Sequence, residues 1–160
     1  MTAVTFPEVH AEFEAIVAAL PADYVYPRLT STGGSLYVHG GFAGPLDAAT
    51  GRDPDPLECG CIVAHWLHRC HGVPLERLAM LEGISGPSAV LQLMATGALP
   101  TDLLDHGSSA QVFKYIQTVQ GCQDVGWTWR GAVEGAYALV TTPPWSVLLA
   151  PSWEPARIDA

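Results

Sequence analysis

The stretch Cys59-Gly60-Cys61-Ile62-Val63-Ala64-His65-Trp66-Leu67-His68-Arg69-Cys70-His71 decides the fold class, because its apolar residues recur with a helical and not an alternating period. At about 100° per residue, Ile62, Val63, Trp66, Leu67 and Cys70 share one side, while Cys61, His65 and His68 lie within roughly 60° of one another on the other. The spacing predicts an amphipathic helix ending at His71-Gly72, with Cys70 as a small core residue.

The same pattern extends in both directions. Upstream, Phe13, Ile16, Val17 and Leu20 form one stripe, which predicts a helix over 7–20 stopped by Pro21. Downstream, Pro74 opens a helix that Gly83 closes, and another spans 87–96 before Gly97. Ser108 or Ser109 caps a longer helix with Val112, Ile116 and Val119 inward, broken at Gly126. The last helix carries Trp129, Val133, Ala136, Tyr137 and Val140 on one face and ends at Pro143-Pro144. Trp127 and Trp129 are expected to seal the joint between these two helices, with Gln120, Gln123 and Asp124 as caps or buried hydrogen-bond partners.

Two β-flavoured pieces, Tyr24-Val25-Tyr26 and Leu36-Tyr37-Val38-His39, flank the turn-rich Thr30-Ser31-Thr32-Gly33-Gly34 and predict a small N-terminal β-hairpin. Gly40 to Pro56 has no apolar period and reads as a long loop. The expected architecture is therefore mainly α, with five to six helices in a compact bundle and a minor β element. Residues 1–142 form one domain, followed by a Pro- and Trp-containing tail over 143–160.

Composition narrows the function classes. The 160 residues are 49% hydrophobic and 14% charged, a balance suited to a globule with its own core. Sixteen acidic side chains against seven basic ones, with Lys114 the single lysine, give a net charge of -9. The arginines are scattered singly, so the clustered cations that grip phosphates or anionic membranes are missing, and no helix presents the positive face a DNA-binding regulator needs. No apolar run approaches a membrane span, and Met1 to Leu20 lacks the pattern of a signal peptide. These features predict a cytoplasmic protein whose Cys59, Cys61, Cys70 and Cys122 are reduced thiols, and whose partner is another protein or a second copy. The apolar Trp145, Leu148, Leu149 and Trp153 of the tail are the candidate partner-binding residues.

The densest chemical signal is again the Cys and His stripe. Cys59, Cys61, His65 and His68 are ligand types for zinc, and His39 or Cys122 would complete a set. Seven residues of helix rise about 10.5 Å, so Cys61 and His68 cannot both join His65 on one ion. The paired C-x-x-C spacing of a strong zinc signal is missing. Alternatively, Cys61 in the first helical turn is a thiol nucleophile activated by the helix dipole, with His39 on the preceding strand as the base of a site that also includes His65. The plainer reading, which the residues favour, has Cys61 filling a tight contact at a helix start and His65 and His68 as half-exposed side chains. It requires neither cofactor nor catalytic group. The glycines at 33, 34, 40, 41 and 44 form no phosphate-binding loop, and Asp102 and Asp105 read as an acidic cap.

Taken together, Tyr37-Val38-His39, Cys61-Ile62-Val63-Ala64-His65, Leu67-His68 with Gly72-Val73-Pro74-Leu75, and Gln120 with Gln123-Asp124, Gly126 and Trp129 resemble a group of small uncharacterised proteins of actinobacteria and their bacteriophages. The resemblance covers roughly residues 24 to 136 and implies a shared helical fold, but no activity. Ala64 stands where that group often has glycine, and Cys70-His71 fills a slot usually apolar there. The expected function is a non-enzymatic accessory or regulatory protein acting through protein–protein binding, for which the resemblance implies a phage-derived origin; the alternative is a metal- or thiol-dependent enzyme centred on Cys61 and His65.

Overall fold

The computed structural model describes residues 3–25, 37–39 and 58–142, with His39 described in its main chain alone, and among these residues apolar side chains spaced to cover one helical face form six helices. The helices are α1 (Phe6–Ala18), α2 (Ile62–His71), α3 (Leu75–Ala79), α4 (Gly86–Ala95), α5 (Ser109–Asp124) and α6 (Trp129–Thr141). Two-residue strands β1 (Val38–His39) and β2 (Glu58–Cys59) pair antiparallel, Val38 with Cys59 and His39 with Glu58. The architecture is mainly helical, as the periodicity predicts.

Local chemistry sets the helix limits. Glu8 Oε2 accepts from both the N–H and the hydroxyl of Thr5 at 2.7 Å, fixing the first turn of α1. At the end of α2, Gly72 adopts φ 68, which lets the Val73 N–H turn back to the Leu67 carbonyl at 3.1 Å. The Thr128 hydroxyl accepts from Gly131 N–H at 3.0 Å and starts α6.

α5 and α6 pack along each other, α1 lies against α6, α2 and α5, and α4 covers α5. The centre is aromatic. Phe13 of α1 packs against Trp66 of α2 (ring centroids 5.5 Å) and edge-on to Tyr115 of α5 (5.3 Å), within a shell that includes Ile62, Leu67, Val112, Ile116 and Val133. Trp129 is buried, whereas Tyr137, expected on the same inward face, is exposed along one edge.

Two expectations need correction. Val25 bridges Thr128, and β1 pairs with β2, so the described parts of the two β-flavoured pieces do not form a hairpin with each other. Each has a stronger claim elsewhere. The Tyr24 carbonyl accepts from Trp129 N–H at 2.9 Å and its ring meets the Trp129 indole edge-on at 4.9 Å, while the Tyr37 carbonyl accepts from Gly60 N–H at 2.8 Å. Cys70, expected as a small core residue, is exposed, whereas Cys61 is buried in the tight contact that the plainer reading gives it, although the helical wheel sets it opposite the core face. Cys61 is the N-cap, with extended ψ 165, so the wheel does not run back to it; α2 leaves the core after Leu67, so Arg69 and Cys70 face water.

Candidate functional site

The start of α2 sits over a polar layer supplied by α5. Gln123, buried, accepts the Ile62 N–H on Oε1 at 2.9 Å, and Gln120, one turn earlier, accepts the Gly86 N–H at 2.7 Å. One helix thus caps two others through neutral side chains, as the sequence expectation for these glutamines has it. Gln120 Nε2 also lies 3.5 Å from the Tyr37 hydroxyl, which donates to the Ile84 carbonyl at 2.7 Å. Gly86 is required here: a Cβ would come within 2.6 Å of Ile116 Cγ2.

Cys61 lies in this layer without solvent access. Burial pushes its thiol up to about 12; the Ala64 and Val63 amides pull down and do not compensate. The helix-start argument therefore names a real influence that loses to desolvation, and Cys61 is not a thiolate near neutral pH. Burial also raises Tyr37, with the Cys61 thiol adding to the effect. Cys59, half-buried, has Sγ 3.8 Å from the Ala64 carbonyl, and burial raises its thiol against the pull of Arg69.

The remaining candidates do not converge. His65 meets the Trp129 ring edge-on at 5.4 Å. His68 Nδ1 lies 2.8 Å from the Val73 carbonyl, which can only accept, so that nitrogen carries a proton. The main chain of His39 pairs with Glu58 across β1 and β2. Cys122 is half-buried on α5. Among the described residues no three His, Cys, Asp or Glu side chains are grouped as a metal ion requires. The tail candidates Trp145, Leu148, Leu149 and Trp153 lie outside the described residues.

Three arrangements escaped sequence reasoning. Glu82, in the turn after α3, accepts the Tyr37 and Val38 N–H groups on Oε1 at 2.9 and 3.0 Å and holds the root of β1; burial raises its carboxyl despite these two bonds. Glu12 of α1 accepts from Trp66 Nε1 at 2.6 Å and lies 3.3 Å from His71 Nε2. His10 stacks on Tyr137 at 4.1 Å, with Nδ1 3.0 Å from the Tyr115 hydroxyl and Nε2 3.5 Å from Glu14. Apart from His10 with Glu14, one helical turn apart, each pairs residues far apart in the chain, for which no local spacing exists to be read. A shallow groove between α1 and α6 is lined by Glu14, Val17, Ala18, Arg130, Val133 and Glu134.

No protein family matches this chain, and neither a curated protein nor a solved structure matches it. Among the described residues, no helix is long and apolar enough to cross a membrane.

Proposed function

We propose that this chain is a non-enzymatic accessory or regulatory protein that acts by binding another protein, a role that also suits the resemblance to actinobacterial and bacteriophage proteins. One observation carries the reading: Val125 and Trp127, in the turn between α5 and α6, stand open to solvent. Large apolar groups held in water at one place cost free energy unless they are covered in use. The closed, protonated state of Cys61 adds support, because it leaves the thiol-nucleophile alternative without an accessible thiolate.

The test is sedimentation of the purified protein, alone and after incubation with a lysate of a bacterial host. A larger species, lost in Trp127→Ala, is expected. A chain that stays monomeric and captures nothing overturns the proposal. Metal analysis of protein purified without chelator or histidine tag checks the alternative directly: about one zinc per chain, lost in Cys61→Ser and His65→Ala, would move the function to metal chemistry.

A further inference from the structure

Trp127 is held in an unusual way. Gly126 before it has φ 94, and its own N–H donates to the Cys122 carbonyl at 3.1 Å, which fixes the main chain. The Cε3–Cζ3 edge of its ring meets α6 on a ledge made by two glycines one turn apart. A Cβ at Gly135 would meet Trp127 Cζ3 at 3.2 Å, and one at Gly131 would meet Cε3 at 3.8 Å. Even alanine at 135 would be a tight contact, met only if the ring shifts slightly. Although seated, Trp127 is 50% exposed, with Val125 (68%) beside it in the chain and Val25 (43%) brought to the same end of α6 by its bridge to Thr128.

The charge next to this ledge is mixed but leans acidic. Glu134, exposed, falls between Gly131 and Gly135 in sequence and lines the α1–α6 groove with Glu14; Arg130 is the cation of that groove. Asp23 is exposed two residues before Val25, and the whole chain carries -9. An indole seated by one edge loses little freedom on binding, and its electron-rich ring, half exposed, is available to a cation. A planar guanidinium satisfies both features, stacking on the ring while pairing with a carboxylate, which a lysine ammonium does less well.

We infer that Trp127 and Glu134 form the docking surface for an arginine-bearing, otherwise apolar segment of a partner protein. This rests on the protein-binding reading above and specifies the chemistry of the partner. The experiment follows the tryptophan indole N–H resonances of the full chain during titration with a synthetic peptide of alternating arginine and leucine, and with a matched peptide carrying glutamate for arginine. The Trp127 resonance is identified by its loss in Trp127→Phe. Its saturable shift with the arginine peptide, at least about ten-fold tighter than with the glutamate peptide, is the expected result. Glu134→Gln should weaken binding several-fold and leave the Trp129 resonance in place. Equal responses to both peptides, or none, overturn the inference. If the Trp127 resonance moves with protein concentration alone and the chain sediments as a dimer, this inference fails while the binding reading survives; a monomer that answers neither peptide and captures no partner ends both.

Discussion

The two polar layers that tie this bundle together differ in the kind of group they use. Under α2 and α4 the ties are the neutral amides of Gln120 and Gln123, whereas along α1 they are the titratable Glu12, His71 and His10. Amides hold the same charge at every pH, so the first layer fixes where two helices begin regardless of conditions. The α1 layer holds only while its groups keep their charge states. Position and proton sensitivity are thus built into different parts of one small core.

The strongest way to break the first layer is Gly86→Val, which forces a branched side chain into the contact with Ile116 and should cost about 1–3 kcal/mol or more, read by urea denaturation. Gln123→Leu follows. It leaves the Ile62 N–H buried without an acceptor, a loss of about 1–3 kcal/mol that should be the same at pH 5 and pH 8. A pH-dependent loss would show that the layer is not neutral after all.

The α1 layer should behave otherwise. Burial opposes the charge on Glu12, but His71 and Trp66 outweigh it and hold the carboxyl below its ordinary 4.5. The stabilisation is therefore present above pH 4.5 and lost as acid protonates Glu12 in the folded chain. Glu12→Gln should cost about 0.5–1.5 kcal/mol at neutral pH and less near pH 3, measured as midpoint shifts across a pH series. His10 runs through the same linkage. Burial lowers its pKa from 6.5, with Glu14 pulling the other way, so the unfolded chain binds the proton first. Stability should fall as pH drops through 6.5 and level off once folded His10 is itself protonated, and His10→Gln should flatten that slope. A slope that survives the substitution would assign it to another group.

Most of the helical frame was legible in the sequence, because burying one face of a helix demands a period that the chain itself displays. The inward residues Val112, Ile116 and Val119 and the capping role of Gln120 and Gln123 were readable for that reason. Strand pairing was not. β-branched and aromatic residues say that a segment is extended, but not which segment it joins, and Val38 chose Cys59 over the piece around Val25. The tight contact expected of Cys61 was readable from its place at a helix start; what local sequence could not show is how far burial outweighs the helix dipole there, which weighs against the thiolate alternative. Glu12 with His71, and Glu82 with β1, depend on folding itself to bring distant residues together.

Placing one cysteine at the sealed start of α2 and another in water on its last turn gives the helix a built-in clock. An alkylating reagent can reach Cys70 in the folded chain, at a rate that partial burial and Glu12 slow below that of a free thiol, whereas it can reach Cys61 only in molecules whose helix start has come away from α5. The ratio of the two rates would then count how often that opening occurs, with no residue substituted to report it.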